Sequence, residues 1–382
     1  MSTTQKSLVE LNFPGFSSDS ANFWQAISDF SYVLSNQLDY LNFIISIFGI
    51  ICNIFHLIVL TRKSMRQLSI NIFMIGIAIC DLGRMASLII VLAPQYYKKY
   101  QIQNIPWYCI TPTFYPTMVS TNISNAVSKF SQELSVWLGV TMAILRALVI
   151  KYPLKPRINC LINAKYGIRI MLLVTIFILP FWYFHYWQLT VQEYKLWISP
   201  LNCSNNPPNY SQMSYTFMVT DAVGGTFQKI ILLSEGILFK LAPSILLPIA
   251  TIVLVYELKK SKKVKMSNSN DKSTRLVTFF TLSFFIATAP LGILYVMEFF
   301  VYDIVGLVNL ISNVSNVFQV LTIINGTVHF LICFFMSSQY RNTVRRMFGM
   351  KEVMSSLPRK EVTQTKSVVS SVLKKSFSNK VG

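Results

Sequence analysis

Asp81 and Arg84 stand three residues apart inside an apolar run, 70–92, a spacing that puts both ionisable groups on one helix face. Ionisable residues at membrane depth are costly and mark functional sites. Asn53, Ser135, Asn325 and His329 fall in other apolar runs. Asn53, Asp81, Ser135 and Asn325 could share hydrogen bonds, waters or a cation such as sodium. The plainer alternative is an Asp81–Arg84 pair that only neutralises itself. A second set comprises Lys129, Gln132, Glu133, Lys240, Glu298, Asn316 and Gln319, with Trp187, Tyr295 and Phe299 nearby. If these converge they form a polar pocket of both charge signs ringed by aromatics. The opposing reading is a row of rim residues contacting water, which fits Glu298 best and Lys240 least. This is chemistry of recognition rather than of bond-breaking. His56, His185 and His329 have neither metal-ligand spacing nor cysteine partners. Neither a Gly-rich phosphate loop nor a serine elbow occurs, and Asp81 has no second acid at its depth.

The elements that position these groups are seven apolar runs, at 40–60, 70–92, 118–150, 166–187, 230–256, 276–300 and 307–336. Each reaches the ~20 residues a helix needs to cross ~30 Å of hydrocarbon. The predicted fold is all-α and membrane-embedded, a seven-transmembrane helix bundle followed by a short amphipathic C-terminal helix. Residues 1–39 read as an extracellular tail, 40–336 as the transmembrane domain, 337–350 as an interfacial helix and 351–382 as a disordered cytoplasmic tail. A composition 53% apolar, with mean hydropathy +0.48, excludes an ordinary soluble domain of 382 residues.

The net charge of +19 suggests nucleic acid until its placement is examined. Of 34 Lys and Arg residues, 25 lie in three alternate loops and after Met336. The positive-inside rule makes those loops cytoplasmic, the N-terminus external and the C-terminus internal. The charge thus orients the chain and can attract anionic lipid, and nucleic acid is excluded. No basic-then-apolar signal peptide precedes the first run, which would serve as the insertion signal. After the seventh run, Tyr340, Val344, Met347 and Phe348 share one helical face and Arg341, Arg345 and Arg346 fall largely on the other. The 351–382 tail is rich in Ser, Thr and Lys without apolar periodicity.

Of six cysteines, only Cys109 and Cys203 fall in predicted outer loops, where a disulfide would persist. Two free thiols are the alternative. Sequons at Asn122, Asn202, Asn209 and Asn313 lie outside or at the outer rim, so glycosylation is expected there. Stretches 194–198 and 215–219 flank Cys203 and suggest a hairpin lid over the bundle mouth. Pro248 and Pro290 interrupt the fifth and sixth runs and permit kinks, which suit a bundle with two packings.

These residues together resemble a rhodopsin-like G-protein-coupled receptor over about residues 40–350. The carriers are Asn53, Ile77-Ala78-Ile79-Cys80-Asp81, Arg146, Pro248 with Tyr256, Phe284 with Pro290, and Asn325 four residues before His329. More narrowly the chain resembles the nematode serpentine receptor class w, a chemoreceptor group similar to FMRFamide- and myosuppressin-type peptide receptors. That likeness rests on Trp137-Leu138-Gly139-Val140-Thr141-Met142-Ala143-Ile144-Leu145-Arg146, on Tyr152-Pro153-Leu154, and on 325–341, which ends Ser338-Gln339-Tyr340-Arg341.

The resemblance implies roles by position. Arg146 would meet a heterotrimeric G protein when the sixth helix swings out, and Tyr256 would steady that state. Read without the resemblance, Arg146 could equally be a snorkelling anchor. Asp81, Ser135 and Asn325 would hold sodium or water. Val136, Pro248 and Phe284 would relay packing from pocket to cytoplasm. Departures are informative: Leu145 replaces the acid usually preceding the arginine, Ala147 the tyrosine following it, and Thr288 the sixth-helix tryptophan. Gly326 and His329 stand where proline and tyrosine are usual, and Cys109 lies further upstream of Arg146 than is common. Asp271 could substitute for the missing acid; otherwise basal activity would be high.

The expected protein is a multi-pass plasma-membrane receptor and not an enzyme. It would bind an extracellular peptide or small molecule in a pocket of Arg84, Lys129, Gln132, Lys240, Tyr295, Glu298, Asn316 and Gln319. It would activate a G protein, and phosphates on Ser367, Ser370, Ser371 and Ser376 could recruit arrestin. A transporter or channel subunit using Asp81 and Arg84 is the alternative, and a receptor-like chaperone without a ligand a third.

Overall fold

In hydrocarbon every backbone polar group must be satisfied within its own segment, so a spanning chain forms helices. The computed structural model describes residues 8–152, 155–203, 206–207, 209–219, 225–264 and 270–349. It contains seven helices long and apolar enough to cross a membrane. After a short α1 (Leu8–Asn12) come α2 (Ser18–Leu60), α3 (Ser69–Asn104) and α4 (Tyr115–Lys151). A short α5 (Pro156–Asn159) leads into α6 (Ala164–Trp187), and an antiparallel hairpin of β1 (Leu189–Ile198) and β2 (Ser211–Val219) follows. The fifth span is α7 (Gly225–Ser234), a π-helical stretch (Glu235–Leu241) and α8 (Ala242–Val264). The last spans are α9 (Asn270–Val301) and α10 (Val305–Met336), and α11 (Ser338–Met347) follows.

The first helix starts at Ser18, well before the boundary expected at residue 40. Ser17 caps it, its hydroxyl accepting from the Ser20 N–H at 3.4 Å. The polarity of 18–39, which reads as a tail, is the inner face of this helix. Ser28, Ser31, Ser35, Asn42, Ser46, Asn53 and His56 are all buried, while Ile44, Phe48, Ile51 and Ile54 are exposed. Polar-in and apolar-out suits a helix whose outer face meets lipid, where small and hydrogen-bonding side chains hold neighbours together. Asn313 of α10 donates to Ser31 Oγ at 3.2 Å, and Asn316 donates to Ser35 Oγ. Lower down, Asn53 donates to the Gly326 carbonyl at 3.2 Å. Gly49 marks the closest approach of three helices, because a Cβ there would lie 2.5 Å from Met85 Sδ and 2.7 Å from Thr327 Oγ1.

An apolar core of Phe73, Ile77, Cys80, Leu134, Leu138, Leu145, Ile178 and Phe239 joins α3, α4, α6 and the π-helical stretch. The hairpin is longer than the sequence suggested and bulges between Glu193 and Lys195. A Cys109–Cys203 disulfide ties it to the segment between α3 and α4. One compact unit of the chain ends at Tyr340 and a second begins at Arg341. Of the second, the described part is the rest of α11, with Arg345 and Arg346 in its last turn, and the turn at Gly349, whose φ is +67°. The tail at 351–382 with its four serines, the Pro153-Leu154 pair and the side chain of Asp271 lie outside the described residues.

Candidate functional site

Two cavities divide the residues expected to work together. The first, about 210 Å³, runs from the end of the bundle opposite the hairpin to its middle. Arg146, His56 and Tyr340 line its lower part, Asp81, Ser135, Val136, Phe284, Asn325 and His329 its centre, and Arg84, Gln132 and Thr288 its top.

Asp81 and Arg84 do not pair as the simplest reading had it. Arg84 donates to Thr322 Oγ1 on α10, whereas Asp81 Oδ1 accepts from Ser135 Oγ at 3.3 Å and Oδ2 lies 3.1 Å from His329 Nδ1. Gly326 permits this approach, since a Cβ there would sit 3.1 Å from the Asp81 carboxyl carbon. Asn325 turns away, its Oδ1 accepting from Ser283 Oγ of α9 at 3.0 Å, so it is not part of the expected four-residue cluster. Hard cations take oxygen ligands, and an imidazole nitrogen holds the position facing Oδ2. The arrangement does not fit a sodium ion, which would have to displace the His329 ring from Oδ2. Sodium is therefore expected to raise the unfolding temperature of His329→Leu receptor more than that of wild type. Equal sodium responses in a thermal-shift titration would remove His329 as the competitor.

Arg146, near the C-terminal end of the third span, lies half-buried against this cavity, and among the described residues nothing accepts from its Nε. Nearby, His56 Nδ1 lies 3.0 Å from the Tyr340 hydroxyl, whose proton is held more tightly than usual because the group is buried. Gln339 donates to the Ser64 carbonyl at 2.9 Å and fixes the start of α11 against the α2–α3 turn. Thr251 and Thr281 share a hydrogen bond of 2.6 Å between α8 and α9. Of the expected relay, Val136 and Phe284 line the cavity while Pro248 does not. Tyr256 points away from the bundle, 64% exposed, and so stands apart from Arg146 in this state. Pro290 is half-buried within α9, two residues past Thr288.

The second cavity, about 250 Å³, lies towards the hairpin end. Its lining is Lys129, Gln188, Gln228, Ile231, Leu232, Glu235, Tyr295, Glu298, Tyr302, Ser312, Ser315 and Gln319. Of the expected ligand pocket, Lys129, Tyr295, Glu298 and Gln319 meet here. Arg84 and Gln132 line the first cavity instead, and Asn316 is engaged with α2. Lys240 is fully buried, its Nζ 5.9 Å from the centre of the Tyr295 ring. The aromatic members are Tyr295 and Tyr302 rather than Trp187 and Phe299.

Glu235 is the residue the sequence reading missed. Its carboxylate accepts from Lys129 Nζ at 3.0 and 3.2 Å. In an α-helix Glu235 and Lys240, five residues apart, would point about 140° apart. The π-helical turn, closing every five residues, brings both to the buried face. Proline supplies the cause: the Pro243 ring would clash with the carbonyl four residues back, and widening the preceding turn relieves it. Gly236 and Gly292 let α9 close on this wider turn, since a Cβ at Gly292 would meet Leu241 Cγ at 2.8 Å.

The sequons separate. Asn122 is buried within α4 and donates to the Leu189 carbonyl at 3.0 Å, and Asn313 is bonded to Ser31 inside the bundle. Neither presents its amide nitrogen for glycosylation, whereas Asn202 and Asn209 are exposed beside the hairpin.

A family model described as serpentine type 7TM GPCR chemoreceptor Srw matches residues 40–351. No curated protein matches the chain.

Proposed function

The chain belongs to the serpentine Srw family of 7TM GPCR chemoreceptors, and from that premise we propose that it couples ligand binding near the hairpin to a heterotrimeric G protein at the opposite end. It is a multi-pass membrane protein of a receptor family. Our reading places it in the plasma membrane, hairpin and N-terminus outside, with the Lys- and Arg-rich loops as an electropositive docking face inside. A small molecule, or the end of a peptide of FMRFamide type, is the proposed ligand class, and arrestin a further partner of the tail. To act as an agonist a ligand must favour the open state by about 1–3 kcal/mol or more.

The observation that carries the reading is Arg146. A half-buried guanidinium near a helix end, facing a cavity and, among the described residues, lacking an acceptor at Nε, is poised for a partner that arrives from outside the bundle. Leu145 in place of an acid removes the carboxylate next to it in sequence. Basal nucleotide exchange is therefore expected to be measurable when receptor and G protein are reconstituted in nanodiscs. Arg146→Leu should lower it about tenfold or more, the scale of one lost charge-assisted contact, without lowering the unfolding temperature. Exchange that persists in Arg146→Leu would overturn the coupling assignment.

A further inference from the structure

The hairpin-end cavity carries a charge imbalance that specifies what it holds. Lys129 and Glu235 pair at 3.0 Å across it. Next in sequence to Gln228 and Tyr302 of its lining, Lys229 and Asp303 pair at 2.7 Å. Glu298 also lines the cavity, half-buried, and no described cation lies within ion-pair distance of it. Counting the deeper layer leaves the sign unchanged. Glu133 and Lys240, both buried just beyond, are one acid and one base. Three glutamates therefore face two lysines, an excess of one negative charge. Below them Arg84 lines the other cavity and donates to Thr322 Oγ1.

A partly desolvated carboxylate without a counter-charge is unfavourable, and a ligand cation relieves it. The remaining lining suits a cation's substituents: the Tyr295 and Tyr302 rings, the hydroxyls of Ser312 and Ser315, and the amide of Gln319. Only Ile231 and Leu232 are purely aliphatic, so an apolar ligand finds little surface. At about 250 Å³ the cavity falls below the ~300–1,000 Å³ usual for drug-sized ligands, so it takes a small compound or one end of a longer one.

We propose that this cavity binds a small organic cation, an alkylammonium or guanidinium, whose charge pairs with the Glu298 carboxylate. The proposal deepens the receptor reading, on which it rests for the site's purpose. The cation has two possible sources, a free amine or the free N-terminus of a peptide, which present the same chemistry to Glu298.

The test uses full-length receptor in nanodiscs and reads binding without a G protein. Probes are phenethylamine and agmatine, against the neutral 2-phenylethanol and the anionic phenylacetate. A tetrapeptide amide with a free N-terminus is compared with its N-acetylated twin. The cationic probes, or the free peptide and not its twin, are expected to bind, and the neutral and anionic ones not to. Glu298→Gln, conservative and at a half-buried position, should weaken that binding about tenfold or more without lowering the unfolding temperature of the unliganded receptor. Glu298→Asp should retain part of it. Phenylacetate binding as well as phenethylamine, unchanged affinity in Glu298→Gln, or no binding by any cationic probe would each overturn the proposal. Nucleotide exchange is measured separately. Amine binding that never alters exchange sinks the receptor reading and leaves this site standing.

Discussion

Receptor carrying Lys129→Met is expected to lose about 3–5 kcal/mol of stability, the usual cost of removing one partner from a buried ion pair. The reason lies in what remains. Glu235 has a side-chain accessibility of 5% and accepts both of the short Lys129 contacts. Without Lys129, Glu235 and the fully buried Glu133 share Lys240 as their cation, with Glu298 close by. The reverse change, Glu235→Gln, should cost less. Lys129 has a side-chain accessibility of 37%, so water in the cavity can solvate a lone ammonium there. The double replacement Lys129→Met/Glu235→Gln should recover most of the loss, because no charge is then stranded. Thermal unfolding of the four proteins in nanodiscs closes the cycle. A double variant as unstable as Lys129→Met would show that the lysine acts through packing rather than charge.

Why the pair was invisible in the sequence is a matter of helix geometry. Lys129, Lys240, Tyr295 and Glu298 are polar residues in apolar runs, and α-helical periodicity suffices to suggest that they converge. Glu235 sits at the start of the fifth run, where an acid reads as a rim residue. Its inward direction depends on the π-helical turn, and the only sequence trace of that turn is Pro243 following Lys240. The split of the expected pocket into two cavities was illegible for a related reason. Depth along a helix is readable from residue number, but partner choice is not. Arg84 finds Thr322, Asp81 finds Ser135 and His329, and Asn316 finds Ser35, all set by tertiary packing.

The seven spans were legible because apolar length alone decides them, and the disulfide because compartment leaves two cysteines together. The extension of α2 back to Ser18 carried a signal of a different kind. Ser28, Ser35, Asn42, Gly49 and His56 recur every seventh residue, a stripe on one helix face. Hydropathy averages it away, since in a membrane helix the inner face is the polar one. Ser35 and Gly49 of this stripe, with Ser31 beside it, meet α10, so the reading of residues 1–39 as a tail concealed a packing surface.

Cys203→Ser and Cys109→Ser receptors are expected to reach the cell surface at a small fraction of the wild-type level, and equally so. The bridge spans 94 residues, for which the chain-entropy argument gives about 4–5 kcal/mol. That is an upper bound here. Helices that stay inserted already restrict the unfolded chain, so about 2–4 kcal/mol is the expected cost. Among the described residues, the far part of the hairpin is also held by Asn206 Nδ2 on the Cys109 carbonyl at 3.2 Å, Gln212 Nε2 on the Pro112 carbonyl at 2.9 Å, and the Tyr115–Tyr215 ring contact at 5.1 Å. Two of these come from the segments that the bridge itself pins, so they should loosen with it. The hairpin starts one residue after Gln188, which lines the cation cavity, and the Asn122 bond to Leu189 anchors that start to α4. Loosening the far end while the near end stays fixed should widen the cavity before it unfolds the bundle. Surface receptor rescued by low-temperature expression is therefore expected to bind the cationic probes more weakly while keeping its basal nucleotide exchange. If a Cys203→Ser receptor reached the surface and bound phenethylamine as wild type does, the disulfide would be incidental to both folding and recognition. The double Cys109→Ser/Cys203→Ser variant should be no worse than either single one, because a bridge is lost once.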